Sequence, residues 1–254
     1  MSFQNLLLEI VEQLDSTTAE LLRRKEVAAG TALLALTQTA GRGRSERVWE
    51  SPRGGMYLSV ALRVAEPQGL SLLGALALLD LLTEAGVRGQ LRWPNDVTVQ
   101  TLKLGGVLPV VRYAGNRLER AVLGVGLNVS ASLELFEPEL RSTLTTLDNV
   151  LPGRQWDVVE VARSYLKFLE ARLQLLEEKG LAAIVALCQP SLEGVGDGRL
   201  PVLVGGVESK TLAPVVSLDS DGALRLADGS RLEGLGRDER LRFLESDPPT
   251  SPHV

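Results

Sequence analysis

Hydrophobic residues in the first half of the chain are grouped into short, strand-like runs. The apolar runs at 31–36 and 56–62 predict two buried strands. Two further runs, 104–113 and 118–127, flank the turn residues 114–116 and predict a β-hairpin. Strand neighbours that follow each other closely along the chain favour an antiparallel sheet over a doubly wound parallel one.

Helical spacing predicts three helices among these strands. Thr17, followed three residues later by Glu20, is typical of a capping box for a helix that ends near Arg24. Leucine and alanine dominate 71–85, which predicts a mostly buried helix. Apolar residues three and four positions apart predict a long amphipathic helix over 157–179. Strands and helices in this order predict an α+β fold.

The pattern changes after about Glu193, where short β-like segments alternate with glycine- and aspartate-rich turns. This spacing predicts a small all-β barrel of roughly fifty residues, in which Pro214 confines its strand to an edge or a bulge. We therefore expect three parts: a domain over 1–193, a barrel over 194–246 and a proline-rich disordered tail over 247–254. The tail holds the only histidine, His253, which is not expected to be catalytic.

Charge and composition exclude several classes of protein. The 254 residues carry a formal net charge of −5, which disfavours general DNA binding. The longest apolar stretch, 70–82, is too short to span a bilayer, and the N-terminus lacks the features of a secretory signal. A single cysteine, Cys188, cannot form an internal disulfide. These features predict a cytoplasmic protein without a membrane segment.

The most distinctive segment is a basic loop, residues 41–49, between the first two predicted strands. It contains Arg42, Arg44 and Arg47, two glycines, and Trp49 at its end. Arginines supply forked donors for phosphate or carboxylate, and glycines let the backbone approach a ligand. The loop therefore suggests a flap that closes over an anion. A solvated basic loop without a ligand is the alternative.

Two later segments add candidate chemistry. The turn at 92–96 contains Asn95 and Asp96, and Lys103 follows next to a pair of glycines. An ammonium between apolar residues either extends to solvent or meets an anion. The strand at 124–128 has two glycines and ends in Asn128, whose amide can recognise the polar edge of a heterocycle. Each segment by itself is a weak signal.

Taken in order, these segments resemble the biotin protein ligases, or biotin–[acetyl-CoA-carboxylase] ligases. The family pattern is a Gly-Arg-Gly-Arg loop ending in Trp, a Trp-Pro-Asn-Asp turn, a Lys-x-Gly-Gly strand and Gly-x-Gly-x-Asn. Here they stand at 41–49, 92–96, 103–108 and 124–128. The resemblance covers about residues 6–245. It implies a mixed β-sheet with flanking helices, related to class II aminoacyl-tRNA synthetases, and a C-terminal SH3-like β-barrel.

The resemblance implies a two-step reaction: biotin and ATP give biotinyl-5′-AMP, and a lysine of a biotin carboxyl carrier protein then takes the biotinyl group. ATP and biotin are the substrates and Mg²⁺ accompanies them. The residues implied in catalysis are Lys103, Arg42 and Asp96. Those implied in binding biotin are Ser16, Thr17, Gln38, Gly41, Arg42, Lys103 and Gly106. Those implied in binding ATP are Arg44, Arg47, Trp49, Asn95 and Asn128. The metal ligands stay unassigned, and a homodimer through a sheet edge is compatible with the sequence.

Three departures and three alternatives accompany this interpretation. Glu46 stands where the family usually has glycine, Thr18 where it often has Asn, and Pro109 where a small or polar residue is commoner. The alternatives are a bifunctional ligase and repressor, a lipoate or octanoyl transferase, and a non-catalytic biotin- or nucleotide-binding module. About fourteen residues precede Asp15, too few for a helix-turn-helix domain, so DNA binding is not expected.

Overall fold

The computed structural model describes residues 6–44, 47–197, 199–205, 208–234 and 240–243. Glu46, His253 and the expected tail at 247–254 lie outside the described residues. The first part of the chain forms a mixed seven-stranded sheet in the order β1-β2-β3-β7-β6-β5-β4. Its strands are β1 Leu7–Leu14, β2 Thr31–Gln38, β3 Gly55–Leu62, β4 Gln90–Arg92, β5 Asp96–Val99, β6 Leu102–Ala114 and β7 Arg117–Asn128.

The pairing of these strands confirms the predicted hairpin and adds one parallel pair. Strands β6 and β7 turn at Gly115-Asn116, within the predicted turn. The first strand, β1, pairs parallel with β2 at the sheet edge, whereas every other pair in this sheet is antiparallel. The mixed sheet is therefore confirmed, although the spacing of apolar residues in the sequence did not indicate the position of β1 at the sheet edge.

Six helices accompany the strands within the described residues. They are α1 Thr17–Arg23, α2 Leu70–Glu84, α3 Pro138–Arg141, α4 Leu147–Val150, α5 Val158–Lys179 and α6 Leu181–Cys188. The predictions for α2 and α5 are confirmed, whereas α6, which begins directly after Gly180, was not predicted. Helix α1 is confirmed, but the predicted capping box is wrong: Ser16, not Thr17, is the N-cap, and its Oγ accepts from Ala19 N, so Glu20 does not take the capping-box position.

The two faces of the sheet have different partners. Val107, Val125 and Leu58 lie on one face, which packs against α2 and α5 to form the main hydrophobic core. Helix α2 is buried nearly all round, in keeping with its leucine- and alanine-rich sequence. On the opposite face, α1 covers one end over Leu33, Ala61 and Val122. The remainder of that face is left open for a cavity.

Two arginines of the central hairpin fix the C-terminal end of α1. The Arg120 guanidinium donates to the carbonyls of Leu21 and Arg24, and Arg112 Nη1 donates to Leu22 O at 2.6 Å. These carbonyls belong to the last turn of a helix, where no intrahelical donor is available. Helix α1 is thereby anchored, and its N-terminal residues take defined positions above the sheet.

The C-terminal part consists of two small sheets. One has the order β10-β11-β12 and the other β13-β8-β9. Their strands are β8 Pro201–Gly205, β9 Glu208–Thr211, β10 Val215–Leu218, β11 Leu224–Leu226, β12 Arg231–Leu232 and β13 Arg240–Phe243. No ladder joins the two sheets among residues 199–205, 208–234 and 240–243, so the expectation of a closed barrel is wrong. Pro214 precedes an edge strand with a register irregularity, as predicted.

A buried carboxylate joins the two parts of the molecule. The Glu193 side chain is fully buried, and its oxygens accept from Arg92 at 2.8 and 2.9 Å, from Arg199 at 3.1 Å and from Thr98 Oγ1 at 3.1 Å. Nearby, Trp93 Nε1 donates to Gly222 O at 2.9 Å. Burying a carboxylate is costly unless it is fully paired, and here each oxygen has at least two donors.

We expect Glu193→Ala to lower the free energy of unfolding by about 3–5 kcal/mol, because the Arg92 side chain, which is only 17% exposed, loses its carboxylate partner. Urea denaturation of the full chain measures this loss. Glu160→Ala is the matched control, since Glu160 is exposed and pairs with Arg163 at 3.4 Å; it is expected to cost less than about 1 kcal/mol. Equal losses in the two variants would contradict the role given to Glu193.

Candidate functional site

A cavity of about 520 Å³ opens on the face of the sheet that α2 and α5 leave uncovered. Its walls come from the N-terminus of α1, the basic loop, the turn before β5, strands β3, β6 and β7, and residues 136–144. All of the site residues predicted from the sequence line it except Gly41. Segments far apart in the sequence therefore converge on one cavity.

Glycines form the floor of the cavity on β6 and β7. Gly106 and Gly126 are directly opposite each other in the β6–β7 ladder, and Gly124 is two residues from Gly126 on the same face. A Cβ on Gly126 would lie 2.4 Å from Trp49 Cε2, and one on Gly106 would lie 3.2 Å from Trp49 Cζ3. The Trp49 indole therefore rests directly on the backbone of both strands, a contact that a side chain at position 126 would block.

Lys103 and Asp96 form an ion pair beside this floor. Lys103 Nζ lies 2.8 Å from Asp96 Oδ1 and 5.0 Å from the centroid of the Trp49 ring. The Lys103 backbone donates to Thr143 O and accepts from Thr145 N, each at 2.9 Å. The strand is thus fixed while the ammonium stays about a quarter exposed, within reach of a ligand in the cavity.

The basic loop folds back on itself over its described residues, 41–44 and 47–49. Arg42 and Val48 form an isolated antiparallel bridge, and Gly43 N donates to Arg47 O at 2.7 Å. Arg44 Nη1 reaches Asn95 Oδ1 at 3.4 Å. Desolvation is the main cause that lowers the pKa of Arg44 from its ordinary value, while the charge of Asp96 opposes the shift. An anion in the cavity would stabilise this partly desolvated guanidinium.

The two predicted amides differ in how they are held. Asn95 follows the cis Trp93–Pro94 peptide, and its Nδ2 donates to Val107 O at 3.1 Å, which ties the turn to β6. Asn128 is buried at the end of β7, where its Nδ2 donates to Thr145 O at 3.2 Å. Asn128 Oδ1 and Trp49 Nε1 are both buried and have no hydrogen-bond partner among the described residues. Unsatisfied buried polar atoms are rare; of the three among the described residues, these two belong to cavity residues and the third, Trp156 Nε1, does not.

Hydroxyl and amide groups surround the other end of the cavity. Thr17 N donates to Gln38 Oε1 at 2.8 Å, and the Thr17 hydroxyl lies 2.7 Å from Ser59 Oγ. Thr18 Oγ1 lies 2.8 Å from the same Ser59 oxygen. Ser59 and Thr18 were not among the predicted site residues. The detectable signal for Ser59 was a single polar residue in the otherwise apolar run 56–62.

Gly41 lies at the base of the basic loop and is the one predicted biotin-binding residue that does not line the cavity. A Cβ there would lie 2.3 Å from Trp49 O and 2.7 Å from Ser51 Oγ. The glycine instead permits close packing at the base of the loop.

The order of groups along β7 describes what the cavity can hold. Gly124 faces the hydroxyl cluster, which consists of Thr17, Thr18 and Ser59. Gly126 faces Trp49, and Asn128 carries the unpartnered oxygen. Residues two apart on a strand are separated by about 6.8 Å, so these three levels span about 14 Å. Within the described part of the chain, no three His, Cys, Asp or Glu side chains are grouped to hold a metal ion. No helix there is long and apolar enough to cross a membrane.

Comparisons with known proteins agree with this geometry. Residues 10–128 match the model of the biotin/lipoate A/B protein ligase family. The chain is 31% identical over 230 residues to the bifunctional ligase/repressor BirA of Bacillus subtilis, covering 88% of this chain and 69% of that protein. It is 38% identical over 179 residues to the biotin–[acetyl-CoA-carboxylase] ligase of Mycobacterium tuberculosis, covering 65% of this chain and 64% of that protein.

The structural similarity extends over almost the whole chain. The biotin protein ligase from Aquifex aeolicus, solved in complex with biotin and ATP, superposes with a TM-score of 0.81 and 29% sequence identity. The match covers 95% of this chain and 100% of the Aquifex chain. With the sequence relatives, the motifs and the cavity they line, this similarity shows that the chain belongs to the biotin protein ligases of the biotin/lipoate A/B protein ligase family.

Proposed function

We propose that this chain is a biotin–[biotin carboxyl-carrier protein] ligase, which activates biotin as biotinyl-5′-AMP and transfers it to a lysine of a carrier protein. The order of groups along β7 is the observation that carries the proposal. Hydroxyls and the Gln38 amide at one end suit a ureido ring, cations in the middle suit a carboxylate and a phosphate, and Asn128 Oδ1 suits the amino group of adenine.

In the first step a biotin carboxylate oxygen attacks the α-phosphorus of ATP, and the bond to pyrophosphate breaks. Both reactants are anions, so catalysis depends on positioned positive charge. We assign Lys103 to bridge the carboxylate and the α-phosphate, which requires its Nζ to leave Asp96, 2.8 Å away. Arg42, Arg44 and Arg47 line the same cavity and are assigned to the carboxyl end of biotin and to the phosphates.

In the second step the neutral amine of the acceptor lysine attacks the biotinyl carbonyl carbon, and AMP leaves with the bonding electrons. The amine must lose a proton, and Asp96 is the carboxylate we assign to accept or orient it. When Lys103 moves to the phosphate, the Asp96 carboxylate leaves its ion pair with Lys103 and can accept a hydrogen bond from the incoming amine. The movement of Lys103 from Asp96 to the phosphate thus prepares both steps.

Mg²⁺ enters, on this proposal, with ATP as part of the substrate. Magnesium typically binds nucleotide phosphates and one or two carboxylates rather than a dedicated protein cage. Among the described residues the cavity carboxylates are Asp96 and Glu50, and no larger acidic cluster is present.

We further propose a cytoplasmic location, consistent with the single buried Cys188, and leave the homodimer as a proposal based on the exposed β1 edge.

Pyrophosphate release from ATP, measured separately with biotin, lipoate and octanoate, tests the proposed function. Release that depends on biotin alone is the expected result. Release with lipoate or octanoate instead would favour the transferase of the same family. No release with any of the three acids would contradict the ligase.

We expect Lys103→Ala to lower the rate of biotin-dependent pyrophosphate release by about 10²–10³-fold, because it removes the cation assigned to the developing charge. Lys167→Ala, a change of an exposed lysine on α5, is the matched control and is expected to keep the wild-type rate. Near-native release by Lys103→Ala would show that the assigned role is wrong.

We expect Arg42→Gly to weaken retention of biotinyl-5′-AMP by about tenfold or more, because one charged contact to the ligand is lost. The escaping acyl phosphate would then label exposed lysines of unrelated proteins. Dissociation of labelled intermediate and biotinylation of bovine albumin measure the two effects. Arg53→Gly changes an exposed arginine outside the cavity and should behave as wild type; unchanged retention in Arg42→Gly would refute the assignment.

A further inference from the structure

We propose that Ser51 is a positioning residue that fixes both ends of the basic loop to the hydroxyl cluster through one directed chain of hydrogen bonds. Ser51 is buried, with 7% of its surface exposed, and it does not line the cavity. The proposal rests on the proposed function only for the identity of the ligand, because the hydrogen bonds themselves form in the protein without a ligand.

The donor-to-acceptor direction of this chain of hydrogen bonds is set by the Trp49 carbonyl. Trp49 O can only accept, so Ser51 Oγ donates its one proton to it, at 2.9 Å. Ser51 Oγ must therefore accept from Gln38 Nε2, which lies 2.9 Å away. This orientation turns Gln38 Oε1 towards Thr17, whose backbone N–H donates to it at 2.8 Å. The Gln38 amide consequently has a single orientation.

The hydrogen bonds of the hydroxyl cluster, Thr17, Thr18 and Ser59, have directions that follow from the same rule. Thr17 Oγ1 donates to Gln38 Oε1 at 3.2 Å, so it accepts from Ser59, 2.7 Å away. Ser59 has then used its proton and accepts from Thr18 Oγ1 at 2.8 Å. Every hydroxyl proton in this chain of hydrogen bonds therefore points towards the basic loop. The lone pairs that remain can only accept, so a ligand that reaches these hydroxyls must bring N–H or O–H donors.

Packing at the base of the loop places Ser51 where the loop begins and ends. A Cβ on Gly41 would lie 2.7 Å from Ser51 Oγ and 3.0 Å from Gln38 Nε2. Trp49 N donates to Gly41 O at 2.9 Å, and Gln38 N donates to Ser51 O at 3.3 Å. The two segments that lead into and out of the loop therefore meet at the Ser51 hydroxyl.

Ser51 acts through its neighbours and touches no reacting atom. Its bond to Trp49 O fixes the backbone that carries the indole over Gly106 and Gly126, next to Lys103. Its bond to Gln38 fixes the amide at the other end of the cavity. Removing the hydroxyl leaves the partly buried Gln38 amide donor without its acceptor and the Trp49 carbonyl without its donor.

Trypsin cleavage of the ligand-free full chain tests this proposal, with peptides after Arg42, Arg44 and Arg47 quantified by mass spectrometry. Cleavage reports the opening equilibrium of the segment that contains the bond. Ser51→Ala is expected to raise cleavage at these three sites about tenfold, the loss of a buried hydrogen bond. Cleavage after Arg112 and Arg120, within the central hairpin, should stay unchanged.

Thr83→Ala is the matched control, because Thr83 Oγ1 makes a comparable 2.8 Å bond to Leu79 O on α2, outside the cavity. It should leave loop cleavage at the wild-type rate. The biotin KM of Ser51→Ala should rise about tenfold, while kcat at saturating biotin changes less than about threefold. A purely structural defect would not produce this split.

Loop cleavage of Ser51→Ala within twofold of wild type would overturn the proposal, as would an equal rise at Arg112 and Arg120, which indicates global unfolding. If Ser51→Ala does not fold, Gln38→Glu tests the same bond, since it replaces the Nε2 donor by an acceptor of the same shape. The cleavage rates need no biotin. Failure of this proposal is therefore separate from a failure of wild-type pyrophosphate release, which would refute the proposed function.

Discussion

Contact between the Trp49 indole and the glycine floor is the constraint on which the rest of the site depends. The indole can lie against β6 and β7 only because positions 106 and 126 lack side chains. Its position brings the basic loop beside Lys103, and the buried Asn128 lines the cavity at the next level of the strand. Sheet register thus sets the distances between groups that would bind the two ends of one extended ligand.

The turn at 92–96 depends on the C-terminal sheets as well as on the main sheet. Arg92 and Trp93, which precede the cis Pro94, bind Glu193 and the Gly222 carbonyl, and Asn95 binds Val107 O. The turn is therefore held from both sides. Because Arg199 and Phe243 also line the cavity, the small C-terminal sheets form part of its wall rather than a separate appendage.

Local patterns predicted most elements and nearly all of the site, and the reasons for the exceptions are physical. The apolar runs located β2, β3, β6 and β7, and motif order located Lys103 and Asn128. The parallel pairing of β1, the open C-terminal sheets and the buried role of Glu193 depend on contacts between distant segments, which periodicity does not encode. Ser51 and Gly41 owe their roles to backbone approach at the loop base.

We infer that Lys103 exchanges Asp96 for ligand anions, while Asn128 Oδ1 and the hydroxyl cluster hold the two ends of the ligand. A crystal structure of this chain with biotin and ATP tests this inference most directly. We expect Lys103 Nζ on the biotin carboxyl and α-phosphate oxygens, Asn128 Oδ1 accepting from the adenine amino group, and the ureido N–H groups at the hydroxyl cluster. A ligand bound with Lys103 still paired to Asp96 and Asn128 Oδ1 unpartnered would contradict it.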